Sequence, residues 1–224
     1  MHPTHHPRIK ICCISSTQEA QLAIHYGASA LGLVSEMPSG SGVIAEDLIA
    51  EIAATIPPAV ASFLLTSKQD ADAIIAQQRR CGTNTIQICD RLHIDGYKKL
   101  RNALPGISLV QVIHVTGEES VEEAVGVAPY VNGILLDSGN QLLTVKELGG
   151  TGRTHNWSIS RLIREAVDVP IFLAGGLNAG NVREAITQVG PFGADVCSGV
   201  RTNGLLDEAK LARFIGQVYN TVVM

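Results

Sequence analysis

Apolar and polar positions along the chain form a repeating two-part pattern. Short aliphatic runs alternate with longer stretches in which apolar residues are spaced three and four apart. An aliphatic run without strict polar alternation is typical of a strand covered on both faces in a parallel sheet, and the longer spacing is typical of an amphipathic helix. The pattern predicts strands at residues 9–15, 30–35, 59–66, 85–90, 109–115, 133–138, 170–176 and 194–200. It predicts helices at residues 17–26, 46–56, 69–80, 94–104, 120–127, 158–167, 181–188 and 206–222.

Eight strand–helix units in strict order predict an α/β fold, a single parallel (β/α)8 TIM barrel. The barrel would span residues 9–224, with residues 1–8 as a flexible N-terminal tail, and 224 residues fit the compact end of this architecture. A doubly wound open sheet is the alternative. That fold more often has five or six strands and a Gly-x-Gly-x-x-Gly turn after the first one. Here the first strand ends Cys12-Cys13-Ile14-Ser15, which favours the barrel.

Composition narrows the class of partner. Apolar residues make up 46% of the chain and charged residues 17%, which excludes an intrinsically disordered protein. The formal net charge is −4 and aromatic residues make up only 4%, so the chain lacks the basic surface and stacking platforms of a nucleic-acid binder. No apolar run approaches the roughly 18 residues needed to span a membrane. We expect a protein that binds a small molecule rather than nucleic acid or membrane.

The cysteines indicate a reducing compartment. There are five, an odd number, without a Cys-x-x-Cys pair or the spacing of a small secreted scaffold. The N-terminal residues are too polar for a signal peptide. We therefore expect a cytoplasmic protein. The exposed helix faces show no long apolar stripe, which favours a monomer or a weak homodimer.

Glycines cluster after three neighbouring predicted strands, at the end of the barrel where the chemistry of this fold gathers. The loops after strands seven and eight of barrel enzymes commonly bind phosphate through backbone N–H groups that glycine leaves accessible. A single glycine pair would be explained by a tight turn, but three clusters at adjacent strand ends predict a phosphate site. The three clusters are Gly149-Gly150-Thr151-Gly152, Gly175-Gly176 and Ser198-Gly199.

Two titratable side chains face the same predicted barrel mouth. Asp137 ends the sixth strand and Cys12 lies in the first. A carboxyl and a thiol facing one substrate can act as acid and base if each pKa is suitable. Taken singly, a buried cysteine is more often a small hydrophobe and an aspartate at a strand end is often a helix cap. By pleat alternation Cys13 should face the helices, and we expect Cys81, Cys89 and Cys197 to be structural or incidental.

These motifs together resemble the phosphoribosylanthranilate isomerase family of tryptophan biosynthesis. The resemblance covers the chain from residue 9 to the last helix, with motifs in the right order on strands one, six, seven and eight and in the loop after strand six. It rests on Lys10-Ile11-Cys12, Leu135-Leu136-Asp137, Gly149-Gly150-Thr151-Gly152 with Asn156-Trp157, Leu173-Ala174-Gly175-Gly176-Leu177-Asn178, and Asp195-Val196-Cys197-Ser198-Gly199-Val200.

The resemblance implies an Amadori rearrangement of N-(5'-phosphoribosyl)anthranilate that needs no cofactor and no metal. Asp137 matches the family's general acid, which protonates the furanose ring oxygen. Cys12 matches its general base, which removes the proton from C2. The positions that hold the substrate's phosphate through main-chain N–H groups are matched by Gly150, Gly152, Gly175, Gly176, Ser198 and Gly199.

The chain departs from the family pattern at the aglycone end. After strand two the family has Ser-Pro-Arg, whose arginine holds the anthranilate carboxylate, whereas this chain has Met37-Pro38-Ser39. After strand four Gln-Leu-His-Gly is replaced by Gln87-Ile88-Cys89-Asp90. Serine and glycine cannot replace a bidentate arginine–carboxylate contact.

A cation from another loop would have to replace the missing arginine. The candidates are Arg91, Arg153 and Arg201, and we select Arg153 because it follows the glycine cluster, with Asp90 as a second aglycone contact. Three hypotheses remain open: a phosphoribosylanthranilate isomerase with a rearranged aglycone pocket, a paralogue acting on another phosphorylated aminosugar, and a non-catalytic phosphate-ligand-binding barrel. The retained acid–base pair favours the first two over the third.

Overall fold

The computed structural model describes residues 6–221 and places eight parallel strands in one closed barrel. Each strand pairs with the next along the chain, and β1 pairs with β8 to close the sheet. The strands are β1 (Arg8–Ile11), β2 (Ala30–Val34), β3 (Ala61–Thr66), β4 (Thr85–Ile88), β5 (Ser108–His114), β6 (Gly133–Asp137), β7 (Ile171–Leu173) and β8 (Gly193–Val196). The predicted (β/α)8 barrel is confirmed, and the open-sheet alternative is excluded.

A helix follows each strand and packs on the outside of the barrel. The helices are α1 (Thr17–His25), α2 (Glu46–Thr55), α3 (Ala71–Cys81), α4 (Ile94–Ala103), α5 (Glu119–Val127), α6 (Trp157–Ala166), α7 (Val182–Val189) and α8 (Glu208–Tyr219). Side-chain caps start several of them, as where Asp70 accepts a hydrogen bond from the N–H of Ala73. Gly82 and Gly190 end α3 and α7 in the left-handed conformation that glycine favours.

Small elements account for the differences from the predicted boundaries. Single-turn 3-10 helices form at Ala128–Tyr130 and Ser198–Val200, and a short antiparallel hairpin joins β9 (Arg201–Thr202) to β10 (Leu205–Leu206). Because β10 takes up the start of the predicted last helix, α8 begins two residues later than expected. Of the predicted N-terminal tail, residues 1–5 lie outside the described part of the chain, and Arg8 is the first residue of β1.

Apolar side chains cover both faces of the closed sheet, in two layers. The larger lies between strands and helices and includes Ile11, Leu31 and Phe214, all fully buried. The smaller fills the barrel interior, where Phe63 and Phe172 meet edge to face. Within residues 6–221, no helix is long and apolar enough to cross a bilayer. The filled interior leaves the chemistry to the two ends of the barrel.

Candidate active site

A cavity opens at the carboxyl ends of the strands. It brings together Cys12, Asp137 and all of the predicted phosphate-binding residues except Gly199. Its remaining lining is Cys13, Val34, Met37, Ser39, Gly40, Ser41, Leu65, Gln87, Cys89, Leu148, Gly149, Thr151, Ala174, Leu177, Asp195 and Cys197. The structure therefore places Cys12 and Asp137 in one cavity, at the end of the barrel where the sequence predicted them.

Three glycine-rich loops form one side of the cavity and pack tightly on each other. A Cβ on Gly176 would lie 2.7 Å from the carbonyl carbon of Arg153, and one on Gly199 would lie 2.0 Å from the carbonyl oxygen of Leu177. Gly175 and Gly176 also have φ values of +81° and +62°, where side chains are strained. Gly199 thus lies behind the lining, where its lack of a side chain lets the loops after β7 and β8 meet.

The same loops present unused hydrogen-bond donors. Among the described residues, no acceptor pairs with the backbone N–H groups of Gly175, Gly176 or Ser198. The first turn of the 3-10 helix at Ser198–Val200 adds a local concentration of N–H dipoles. Asn181 braces the loop after β7, because its side-chain amide donates to the carbonyl oxygen of Gly176 at 3.0 Å. Backbone N–H groups without acceptors, on neighbouring loops at the ends of the last two strands, are what an anion site in this fold requires. We call this part of the cavity the glycine recess.

Asp137 occupies the end of β6, between the recess and the rest of the cavity. Its carboxyl is mostly buried, and its Oδ1 accepts a hydrogen bond from the N–H of Ser138 at 2.7 Å. A Cβ on Gly149 would lie 2.8 Å from Oδ2, so glycine at that position lets the loop after β6 pass close to the carboxyl. The carboxyl is therefore held in a fixed orientation with one face toward the cavity.

His155 supports this wall from behind and was not singled out in the sequence. Its Nε2 lies 2.7 Å from the hydroxyl of Ser160, and its Nδ1 has no partner among the described residues. Burial lowers the pKa of His155 to about 4, despite the opposing effect of Asp137, so the imidazole is neutral at physiological pH. A histidine in a loop carries no pattern that would have marked it.

Cys12 lies on the opposite wall, on an inward extension of β1. Its N–H donates to the carbonyl oxygen of Val196 at 2.8 Å, so the sheet hydrogen bonding continues past Ile11 and the side chain faces the barrel interior. Burial raises the pKa of the Cys12 thiol to about 11, and the neighbouring ammonium of Lys10 opposes that rise. The inward orientation predicted for Cys12 is thus what the structure shows.

The prediction that Cys13 faces the helices was wrong, whereas Cys197 has a structural role, as expected. Cys13 has a φ of +63°, which ends the pleat alternation, and its side chain turns into the cavity instead of toward the helices. There it forms a disulfide with Cys197 after β8, across a Cα–Cα distance of 5.9 Å. Cys12, Cys81 and Cys89 are free and buried. Pleat alternation could not predict this pairing, because the strand had already ended.

The side of the cavity toward β2, β3 and β4 is mostly apolar. Val34, Leu65 and Leu148 line it together with Met37 and Gln87. Of the cavity lining residues, none is lysine, arginine or histidine. This is the side on which the sequence departs from the family pattern.

The arginines named as replacement cations are all paired, and none lines the cavity. Arg153, whose side chain is 59% exposed, forms an ion pair with Glu147. Arg201 is buried against Glu19 and the carbonyl oxygens of Cys12 and Cys13, and Arg91 faces Glu123. The structure therefore does not bring Arg153 to the cavity surface.

Asp90 lies beside the cavity, in an adjoining hollow. Its carboxylate pairs with the ammonium of Lys146 at 2.6 Å, and the hollow shares Met37 and Leu148 with the main cavity. The hydroxyl of Ser39 donates to the carbonyl oxygen of Lys146, which fixes the loop after β6 to the loop after β2. Lys146 was missed in the sequence because a single lysine in a long loop carries no pattern.

No group of three or more His, Cys, Asp or Glu side chains in the described range is arranged to hold a metal ion. A closed parallel barrel with titratable side chains and a glycine-lined recess in one cavity, at the carboxyl ends of its strands, is the architecture of a (β/α)8-barrel enzyme. The chain belongs to the N-(5'-phosphoribosyl)anthranilate (PRA) isomerase family, whose model matches residues 9–217.

Individual relatives agree over nearly the whole chain. N-(5'-phosphoribosyl)anthranilate isomerase 2 of Methanosarcina mazei is 34% identical over 95% of this chain and 94% of its own. The structure of phosphoribosyl anthranilate isomerase from Thermotoga maritima has a TM-score of 0.82 and 28% identity, covering 96% of this chain and 99% of that one. A further phosphoribosyl anthranilate isomerase, in complex with reduced 1-(o-carboxyphenylamino)-1-deoxyribulose 5-phosphate, has a TM-score of 0.79 and 26% identity, covering 96% and 99%.

Proposed function

We propose that this protein converts N-(5'-phosphoribosyl)anthranilate to 1-(o-carboxyphenylamino)-1-deoxyribulose 5-phosphate in tryptophan biosynthesis. The observation that carries the proposal is the shared cavity, in which a thiol and a carboxyl lie next to a recess of free backbone N–H groups. Membership of the isomerase family supports the choice of substrate. The reaction is an intramolecular oxidation and reduction, from an aminoaldose to an aminoketose.

The substrate's phosphate would bind in the glycine recess. The N–H groups of Gly175, Gly176 and Ser198 are free to donate to it, and Gly150 and Gly152 lie on the loop that closes the recess from β6. Gly199 contributes by letting these loops meet. Backbone donors fixed in place need no reorganisation when the anion arrives, so the phosphate can anchor the sugar between the two proton-transfer groups.

Asp137 would act first, as the general acid. Its proton goes to the furanose ring oxygen, the bond between that oxygen and C1 breaks, and the lone pair of the anthranilate nitrogen forms a C1–N iminium. The ring oxygen leaves as the C4 hydroxyl. The hydrogen bond from the N–H of Ser138 holds the carboxyl toward the cavity for this step.

Cys12 would act second, as the general base. Its thiolate takes the proton from C2, and the C–H electron pair forms a C1–C2 double bond while the iminium becomes an amine. The resulting enolamine loses its C2 hydroxyl proton and gains a proton at C1, giving the ketone. The iminium nitrogen accepts the electrons, so we propose that no cofactor or metal takes part.

At the aglycone end we propose Arg153 and Asp90 as the substrate contacts. The carbonyl oxygen of Arg153 lies 3.2 Å from the Cβ position of Gly175, which places its backbone beside the cavity. Its exposed guanidinium would exchange Glu147 for the anthranilate carboxylate. Asp90 would contact the substrate from the adjoining hollow, where it pairs with Lys146 beside Met37.

We also propose that the protein works in the cytoplasm as a monomer or weak homodimer, without nucleic-acid or membrane partners. A small phosphorylated sugar is then the ligand that the protein binds. The net charge of −4 supports the absence of nucleic acid.

The activity is tested by incubating the purified protein with N-(5'-phosphoribosyl)anthranilate and following the loss of the substrate's fluorescence. We expect turnover, and we expect the gene to restore growth of a tryptophan auxotroph that lacks this isomerase. An inactive protein that still binds ribose 5-phosphate would point to another phosphorylated aminosugar. A protein with neither activity nor binding would overturn the proposal.

A further inference from the structure

A buried ion pair lies directly beneath Cys12, inside the barrel. Lys10 is fully buried, its Nζ donates to Oδ2 of Asp195 at 2.9 Å, and the ammonium lies 5.3 Å from the centre of the Phe63 ring. Burying two charges costs desolvation energy that their attraction only roughly offsets, so such a pair is weak evidence for a purely stabilising role. The site gives it a second possible use.

The geometry of β1 and β2 brings the ammonium to the thiol. Lys10 and Cys12 are two residues apart on an extended backbone, so both side chains face the interior. A Cβ on Gly32 of β2 would lie 2.7 Å from Sγ of Cys12 and 3.1 Å from Nζ of Lys10. The two atoms therefore lie within about 6 Å of each other around one point, and glycine at position 32 leaves that point free.

We propose that Lys10 is a positioning residue for the isomerisation, because its buried ammonium stabilises the thiolate form of Cys12, while Asp195 holds the ammonium in place and moderates its effect. The proposal rests on the role of Cys12 as the base. It assigns a function to three interior positions, Lys10, Gly32 and Asp195, that do not form the phosphate recess.

The electrostatics of the pair favour this arrangement. Burial alone would lower the pKa of Lys10, but Asp195 and Cys12 raise it above its ordinary value, so the side chain stays an ammonium. For Cys12, burial raises the pKa, Lys10 lowers it, and Asp195 raises it. Removing Lys10 must therefore raise the pKa of the Cys12 thiol, and removing Asp195 must lower it.

Other groups near Cys12 do not supply the same effect. Burial raises the pKa of Cys89, after β4, to about 12, so this thiol stays neutral. Asp137 faces the cavity from β6 with a carboxyl, Cys13 and Cys197 are joined in the disulfide, and Arg201 contacts the carbonyl oxygen of Cys12 but is paired with Glu19. Lys10 is the cation whose charge the structure directs at the thiol.

The test is the alkylation rate of Cys12 by iodoacetamide at pH 8, localised to Cys12 by mass spectrometry, in Lys10→Met, Asp195→Asn and the double variant. Because only the thiolate reacts, we expect the rate to fall about ten-fold or more in Lys10→Met and to rise in Asp195→Asn. The alkylation rate of the double variant, from which both charges of the pair have been removed, should lie between the rates of the single variants. It also keeps the test valid if Lys10→Met, with an unpaired Asp195, does not fold.

Measuring kcat/KM on the same proteins tests whether Cys12 is the base, separately from whether Lys10 stabilises its thiolate. We expect kcat/KM of the single variants to follow the alkylation rate and the loss in Lys10→Met to recover as pH is raised, which a packing defect would not do. Alkylation rates that do not differ between Asp195→Asn and the double variant would overturn the role of Lys10. Alkylation that shifts as expected while kcat/KM does not follow would instead overturn Cys12 as the base.

Discussion

One side of the cavity is built from backbone and the other from side chains. Toward β6, β7 and β8, glycine loops present N–H groups that have no acceptor among the described residues. Toward β2, β3 and β4, Val34, Leu65 and Leu148 present aliphatic surface, and the nearest described cations are paired with acids. The two sides therefore differ in how they can evolve: a backbone recess depends on loop shape, whereas a side-chain contact can move to another loop.

The proton-transfer groups lie between these two sides, and their removal is the largest expected effect. We expect Cys12→Ser and Asp137→Asn each to lower kcat by about 10²–10⁴-fold, because each removes a proton transfer made in the transition state. KM should change little, since the phosphate recess is intact. Steady-state fluorescence assays of both variants measure this.

The matched control is Cys81→Ser, a buried free cysteine on α3 far from the cavity. Its kcat should equal that of the unaltered protein. Equal losses in Cys81→Ser and Cys12→Ser would show that the loss reflects general damage to the fold and not base chemistry.

The sequence predicted which glycines line the backbone side of the cavity but not which charged groups pair around it, and the reason is physical. Gly175, Gly176 and Ser198 were recognisable because an anion recess needs residues without bulky side chains at fixed strand ends. Lys146 and the Lys10–Asp195 pair were not, because a single charged residue shows no periodicity, and its partner is set by tertiary structure. Cys13 was misplaced because alternation holds only while the strand lasts, and φ at Cys13 is +63°.

The disulfide borders the glycine recess, where it joins the end of β1 to the end of β8. It closes a loop of 184 residues, so we expect reduction to lower the free energy of unfolding by about 2–5 kcal/mol. Denaturant unfolding with and without dithiothreitol measures the difference. The Cys197→Ser variant should be insensitive to the reductant.

A thiol count gives an independent check of the same bond. The denatured, unreduced protein should react with a thiol reagent at three cysteines, Cys12, Cys81 and Cys89. Reaction at all five would mean that Cys13 and Cys197 are thiols in solution, and the stability difference should then vanish.

A methyl group added to a glycine of the recess should weaken substrate binding more than one added to an equally strained glycine elsewhere. In Gly176→Ala the new Cβ would meet the backbone of Arg153 at 2.7 Å and of Thr154 at 2.8 Å. We expect KM to rise about 10–100-fold, the equivalent of losing about 1.5–3 kcal/mol from a charge-assisted hydrogen bond. Steady-state kinetics and inorganic phosphate as a competitive inhibitor measure the effect.

Gly82→Ala is the control, because Gly82 has a φ of +65° but nothing within 4 Å of its Cβ position. Both variants pay about 1–2 kcal/mol of backbone strain in stability, but only Gly176→Ala should change KM. An equal rise of KM in both variants would show that the recess does not bind the substrate's phosphate.

The smallest effect is expected on the side-chain side, at Arg153. An exposed ion pair such as Arg153–Glu147 is worth about 0–1 kcal/mol, so exchanging Glu147 for a substrate carboxylate costs little. If Arg153 holds that carboxylate, Arg153→Ala should raise KM by about ten-fold or less with kcat held, and Glu147→Gln should lower KM because it frees the guanidinium. Lys146→Ala is the matched variant for the neighbouring cation, held by Asp90.

The carboxylate-free analogue N-(5'-phosphoribosyl)aniline distinguishes Arg153 from Lys146, because substitution of the cation that binds the carboxylate should no longer change KM with this analogue. If the KM of the anthranilate substrate is unchanged in Arg153→Ala but rises in Lys146→Ala, the replacement cation comes from the loop that Asp90 and Ser39 fix in place, and Arg153 is only a surface residue.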